Sequence, residues 1–220
     1  TDDIRNFAAN VAETIIEKNP ADVEALKNEA IANGTGTVGE VLTELAGMKI
    51  RENIVIRRFV RMEGKLASYI HNGGSIGVMV KMDTDLDADK VAYIGKDVAM
   101  QSAALNAPYV KREDVPADVI ENEKKIMLAQ MAEDPKMASK PEQVRVKIVE
   151  GKVGKYYSEN CLLEQAFVKD DKLSVQGYVD AEAKKLGGSI KIVDVVRYER
   201  GEGVEKKEEN FADEIASMIK

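Results

Sequence analysis

The stretch that decides the fold is Glu63-Gly-Lys-Leu-Ala-Ser-Tyr-Ile-His71-Asn-Gly-Gly-Ser-Ile-Gly-Val-Met-Val-Lys-Met82. Leu66, Ser68 and Ile70 alternate with Ala67, Tyr69 and His71, and Ile76, Val78, Val80 and Met82 follow the break. Alternation rich in β-branched and aromatic residues marks half-buried antiparallel strands. Asn72-Gly73 supplies two residues that tolerate positive φ, as a two-residue hairpin turn requires. The only histidine of the chain, His71, sits at the lip of that turn. Upstream, Asn53-Ile-Val-Ile-Arg-Arg-Phe-Val-Arg-Met62 reads as a further strand. The expectation is a three-stranded meander, stable once one face is covered.

Helices are expected on both sides. Ile4, Phe7, Ala8, Val11 and Ile15 share one face of a helix over 3–18. Pro20 is expected to open a second helix, with Val23, Leu26, Ala30 and Ile31 on one face. After the break Asn33-Gly-Thr-Gly-Thr37, a short third helix turns Val38, Val41, Leu42 and Leu45 inward and ends at Gly47. Beyond the meander, Asp87 is expected to cap a helix bearing Val91, Ile94, Gly95, Val98 and Ser102. Asn106-Ala-Pro108 ends it. Nearer the C-terminus, Phe167-Val168 reads as a short strand and Ser174 to Leu186 as a helix closed by Gly187-Gly188. Ser189 to Glu199 alternates like a strand and is broken by Gly201-Glu-Gly203. Asn210 then caps a final helix with Phe211, Ile215, Met218 and Ile219 on one side. So short a helix rarely persists alone and must dock on this chain or on a partner.

Residues 114–155 differ in character. Val119, Ile120, Ile126, Met127 and Met131 form a narrow apolar stripe among many charges, and Asp134-Pro135 turns the chain. Ser139-Lys-Pro141-Glu142 has the spacing of a capping box. The helix after it carries Val144, Ile148 and Val149. The result is a charged helical hairpin whose stripe is too thin for a globular core. Its first helix spans roughly 25 Å at ~1.5 Å per residue. The pair either packs on the main body or projects as an arm that meets another chain.

Composition narrows the function. The chain has 220 residues, 44% apolar and 32% charged, with a net charge of −7. That balance argues against a nucleic-acid partner, whose phosphates need a basic face. Arg57, Arg58 and Arg61 are the one local basic cluster; a solvated sheet surface is the simpler reading and an anion site the other. No apolar run reaches the ~20 residues of a membrane span. The single cysteine, Cys161, makes no intrachain disulfide, which fits a reducing compartment. One His and one Cys do not make a zinc site unaided. A His71–Cys161 nucleophilic pair is arithmetically available but lacks nearby cations to lower the thiol pKa. Gly73-Gly-Ser-Ile-Gly77 leads into a strand, whereas a phosphate loop feeds a helix. No spaced pair of carboxylates lies within an apolar run to serve acid–base chemistry. The residues alone thus point to an acidic, non-enzymatic α+β binding module without cofactor or metal.

A resemblance takes the reading further. Lys49-Ile-Arg-Glu-Asn-Ile-Val-Ile-Arg-Arg58, Glu63-Gly, Ser68-Tyr-Ile-His71 and Ile76-Gly-Val78 closely resemble the bacterial elongation factor Ts family. So do Glu113-Asp-Val-Pro-Ala-Asp-Val-Ile120 and Arg197-Tyr-Glu-Arg-Gly-Glu-Gly-Val-Glu-Lys206 with the Phe211-Ala-Asp-Glu helix. The blocks stand in family order over nearly the whole chain. The resemblance implies a guanine nucleotide exchange factor for the GTPase elongation factor Tu, in the cytoplasm or a plastid. The alternative is an interaction or dimerisation module that binds the GTPase without exchange. It also implies an α+β fold of two subdomains, each with an antiparallel three-stranded sheet. Residues 1–64 would form the N-terminal core subdomain, and 65–113 with 158–206 the C-terminal one. A coiled-coil dimerisation hairpin would occupy 114–157 and a terminal helix 207–220.

Carried over residue by residue, the resemblance places Ile50, His71, Asn72, Gly73, Phe211, Ile215 and Met218 at the GTPase. It places Ile126, Met127, Val144 and Ile148 in a homodimer contact. The residue-level alternatives stay open: Ile50 as a buried strand-entry residue, His71 as a turn residue with a local hydrogen bond. One departure matters. The family carries a small N-terminal helical module and then a Thr-Asp-Phe-Val motif whose Phe displaces the magnesium ion of the GTPase. Here Thr1-Asp2 is followed by Asp-Ile, so the chain is expected to begin just past that motif.

Overall fold

The computed structural model of the chain describes residues 2–203. The chain divides into two compact units, Thr1–Glu63 and Gly64–Lys220. The expected final helix, with Phe211, Ile215, Met218 and Ile219, lies outside the described residues. The fold is α+β.

The first unit is helical. Helix α1 (Asp2–Lys18) buries Phe7, Val11 and Ile15, as its spacing predicts. Helix α2 is shorter than expected, Val23–Asn28. It starts at Asp22, whose carboxylate accepts the Ala25 N–H at 2.8 Å, leaving Pro20 outside. Ala30 leaves the helix and bridges to Thr37. Helix α3 (Val38–Glu44) has a complete capping box from Thr37 and Glu40. It runs past Gly47 as a π-helical turn, Leu45–Ile50, and stops at Arg51 in the left-handed region at φ 59°. A buried polar pair ties the unit together: the Thr14 hydroxyl donates to Asn10 O and accepts the Ala32 N–H at 2.9 Å.

Residues 53–62 form no strand, which overturns the expected meander and the three-stranded sheet of the first unit. Their alternation is real, because Ile54, Ile56 and Phe59 pack on the core of α1–α3. Alternation reports one covered side, and helices cover it here; it does not report a hydrogen-bonded neighbour strand. The arginine cluster is therefore not on a sheet, and Arg61 pairs with Glu63.

The second unit holds the sheets. Strands β1 (Lys65–His71) and β2 (Ile76–Thr84) pair antiparallel, Ala67 opposite Val80 and His71 opposite Ile76. Helix α4 (Ala88–Ala104) packs across them. Asp87 stands at its N-terminus but makes no capping bond; it pairs with Lys90 at 3.0 Å. Then come α5 (Ala117–Glu133), α6 (Pro135–Ala138) and α7 (Glu142–Asn160). The strands β3 (Ala166–Phe167) and β4 (Asp170–Ser174) make a two-stranded sheet. Helix α8 (Val175–Leu186) begins at the Ser174 cap and ends at Gly187, φ 71°. Strand β5 (Ile190–Glu199) completes the large sheet in the order β1-β2-β5, antiparallel throughout. The third strand thus comes from the far end of the sequence, with a register shift beside Lys81 and Met82.

The core of this unit lies between one face of the sheet and helices α4 and α8. Val78, Val80 and Met82 meet Val91, Ile94, Val98, Val175 and Val179 there. The opposite register of β1 points away, and Ile70 is 66% exposed. The expected capping box at Ser139 is absent: Pro141 holds the cap position, and the Ser139 hydroxyl donates to Lys136 O at the end of α6.

Gly95 sets how closely α4 approaches the sheet. A Cβ there would lie 2.6 Å from Ala67 Cβ and 2.7 Å from Met82 Cε. Gly95→Ala is expected to destabilise the fold by about 1–3 kcal/mol through overpacking, against ~1 kcal/mol gained in helix propensity. Urea denaturation followed by circular dichroism measures this; an unchanged midpoint would show that the sheet yields freely.

Candidate functional site

The β1–β2 connection is the most distinctive local geometry. It spans four residues, Asn72 to Ser75, between the paired His71 and Ile76, rather than the expected two. Asn72, Gly73 and Gly74 take φ of 46°, 62° and 94° in succession. Asn72 and Gly73 take positive φ as expected, and Gly74 extends the run. Glycine is suited to such backbone, while Asn is among the few other residues that enter it readily. The Ser75 N–H donates to His71 O at 3.1 Å, and Arg200 N–H donates to Ser75 O at 2.8 Å, which ties the loop to the end of β5.

His71 is exposed at this tip. Its Nδ1 shares a 3.0 Å hydrogen bond with the Tyr69 hydroxyl, and the two rings lie 5.9 Å apart. With Tyr69 donating, the neutral ring carries its proton on Nε2. So the local hydrogen bond and the exposed position coexist. Asn72 and Gly73 are exposed as well. Ile70, beside them, stands out in the sequence only as half of an alternation. Its signal was an apolar residue in the register opposite Ala67.

In the first unit Ile50 ends the π-helical turn, half-buried on the α1–α3 core. It is not a strand-entry residue. Met48 and Val55 near it in sequence are 76% and 67% exposed. A groove between α3 and the following segment is lined by Leu42, Thr43, Gly47, Arg51 and Ile54. Phe211, Ile215 and Met218 lie outside the described residues.

The helical hairpin has a core of its own, contrary to the reading of its stripe as too thin. Val115, Ile120, Met131, Val149, Val153 and Cys161 are buried together. The residues that complete it lie at its root, where Tyr109 bridges to Cys161. Arg112 Nη2 donates to Glu164 Oε2 at 2.6 Å, and the guanidinium lies 4.7 Å from the centre of the Tyr157 ring. Of the expected dimer residues, Met127 and Ile148 pack inward against this core. Ile126 and Val144 are 42% and 40% exposed.

Among the described residues the geometry brings neither Cys161 nor His71 forward as a nucleophile. Cys161 is fully buried among Val115, Ile120 and Tyr109, and His71 has Tyr69 as its side-chain partner. Burial pushes the Cys161 thiol up to about 11. Among the described residues no three or more His, Cys, Asp or Glu side chains group to hold a metal ion. No described helix is long and apolar enough to cross a membrane.

These features define an α+β protein with an exposed, backbone-strained hairpin tip and a separately cored helical hairpin. The chain belongs to the elongation factor Ts family: the model of the family described as Elongation factor TS matches residues 1–202. It is 41% identical to an elongation factor Ts of Clostridium kluyveri, over 99% of this chain and 71% of that protein. The identity is 44% with that of Clostridium perfringens, over 96% and 69%. With that of Trichlorobacter lovleyi it is 41%, over 98% and 70%.

The thiol allows a direct check. The folded group keeps its proton up to about 11, while its ordinary value is 9.0. Its neutral form therefore favours folding below pH 9, and that contribution is lost as pH rises from 9 towards 11. Cys161 is expected to resist a thiol reagent at pH 8 in the native chain and to react at once in urea; rapid native labelling would contradict the burial.

Proposed function

We propose that this chain is a guanine nucleotide exchange factor that binds elongation factor Tu and speeds release of its GDP. Membership of the elongation factor Ts family is the observation that carries the reading. The exposed tip at His71, Asn72 and Gly73 supports it, as does the half-exposed Ile50 with its apolar neighbours. In this reading those residues touch the GTPase, and Phe211, Ile215 and Met218 add a second contact. The protein works in the cytoplasm, in translation.

Exchange needs no catalytic residue. A factor that weakens GDP binding must itself bind the GDP form more weakly by the same factor. What it needs is a surface that fits the nucleotide-free GTPase better than the loaded one. A hairpin tip fixed by consecutive left-handed residues and by the Arg200–Ser75 bond arrives pre-ordered, which lowers the entropic cost of contact.

His71→Ala is expected to slow stimulated release of labelled GDP from elongation factor Tu by about tenfold, the loss of ~1.4 kcal/mol of contact. Ile50→Ala should act in the same direction. Wild-type release at the spontaneous rate, with binding intact by calorimetry, would refute the exchange reading and leave only a binding module.

The hairpin is further proposed to join two copies of the chain through Ile126 and Val144, two of its exposed apolar side chains. Met127 and Ile148 support it from within. Ile126→Glu with Val144→Glu is expected to lower the sedimentation coefficient at high concentration without melting the hairpin. The same coefficient in both proteins would rule out this contact.

A further inference from the structure

We infer that Tyr69 is a positioning residue: its hydroxyl holds the His71 imidazole in one tautomer, with Nε2–H left to donate to an oxygen acceptor on the partner. The inference rests on the exchange reading and concerns the same hairpin tip.

The strand places the two side chains. Residues two apart in a strand stand on one face, so Tyr69 and His71 share the face that Ala67 turns to the core. Tyr69 stands opposite Val78, which is 3% exposed, and its ring packs against the core of the second unit. His71 stands opposite Ile76, at the end of the paired region, and is exposed. One ring is thus anchored, and the other is at the surface. The anchored ring carries its hydroxyl to the exposed one. Tyr69 Oη lies 3.0 Å from His71 Nδ1, with the ring centres 5.9 Å apart and the planes inclined at 42°.

Chemistry sets the direction of that bond. A phenol is a stronger acid than the N–H of a neutral imidazole, and an imidazole nitrogen is a stronger base than a phenol oxygen. The hydroxyl therefore donates and Nδ1 accepts. A neutral imidazole has one ring proton, which must then sit on Nε2. With Nδ1 engaged, Nε2–H is the polar group His71 has left to offer. Its complement is an oxygen acceptor, a backbone carbonyl or a carboxylate; a second donor is repelled. A histidine without such a brace samples several rotamers and both tautomers, and contact has to select one of them. Holding the ring beforehand lowers that cost, as the left-handed run of Asn72, Gly73 and Gly74 does for the backbone beside it. Tyr69 belongs to this device through its oxygen alone, since the packing needs only the ring.

Tyr69→Phe separates the two roles, because it keeps the packed ring and removes the hydroxyl. His71 is the only histidine of the chain, so a long-range proton–nitrogen spectrum of the untagged protein shows one imidazole. At about pH 8.5, where a free imidazole is neutral, the wild-type ring is expected to carry its proton on Nε2. Tyr69→Phe is expected to move both nitrogen shifts towards the averaged values of free histidine. A proton on Nδ1, or the same shifts in both proteins, overturns the proposal. In release of labelled GDP from elongation factor Tu, Tyr69→Phe is expected to slow the stimulated rate about threefold, the scale of one neutral hydrogen bond. In a His71→Ala background it is expected to change nothing, because a residue that acts through another is not additive with it. A further loss in that background, or no loss in the wild-type one, overturns the proposal. His71→Gln keeps an N–H donor near the Nε2 position and is expected to retain more stimulation than His71→Ala; an equal loss overturns the donor role. If the wild-type chain leaves release at its spontaneous rate, the exchange reading fails. The same variants are then compared by calorimetric affinity for elongation factor Tu, where non-additive losses support the Tyr69 role and additive ones overturn it.

Discussion

The second unit depends on how closely α4 lies against the sheet. Gly95 presents bare backbone to Ala67 and Met82, so the helix sinks to a depth that no side chain would permit. At that depth Val91, Ile94 and Val98 reach the sheet side chains and are wholly buried. Each such burial contributes about 1.5–3 kcal/mol. The same contact decides which register of β1 faces inward. Ala67 and Tyr69 turn to the helix, so Ile70 must turn away.

A polar cross-link extends this packing. Gln101 on α4 is wholly buried. Its amide donates to Gln165 Oε1 at 3.2 Å and Ala166 O at 3.1 Å, and its carbonyl accepts the Val168 N–H at 2.8 Å. Gln165 in turn donates to Glu159 O near the end of α7. Two side chains, Gln101 and Gln165, thus join the sheet-covering helix, the small β3–β4 sheet and the returning arm of the hairpin. A buried amide satisfied on both sides favours one arrangement, because any slip leaves donors and acceptors unpaired. Arg112, bonded to Glu164 beside the Tyr157 ring, fixes the same junction from the surface.

In the exchange reading, function rests on shape held before contact. The hairpin tip is ordered by its backbone: three left-handed residues in a row, a closing bond to His71 O and a tether from Arg200. Left-handed backbone at Asn72, and at Arg51 just after Ile50, carries a cost that the surrounding structure sustains. Asn72 is itself an expected contact residue, and Arg51 adjoins another, Ile50. Strain of that kind serves a protein that must present one surface and not an ensemble of surfaces.

Local sequence determined much of this. The spacing of Phe7, Val11 and Ile15, the Ser174 cap, Gly187, and the β1–β2 alternation each act within a few residues, and each element formed as expected. The blocks around Lys49, Ser68 and Arg197 were enough to point to the family. Tertiary structure decided what local pattern leaves open. Residues 53–62 and 190–199 both alternate, and only long-range pairing made the second a strand and left the first packed on helices. Thr37 and Ser139 both have capping-box spacing, but Pro141 takes the cap position in one case and nothing interferes in the other. Packing on the hairpin's own core covered Met127 and left Ile126 exposed. Periodicity records that a side is covered; which element covers it is a property of the closed chain.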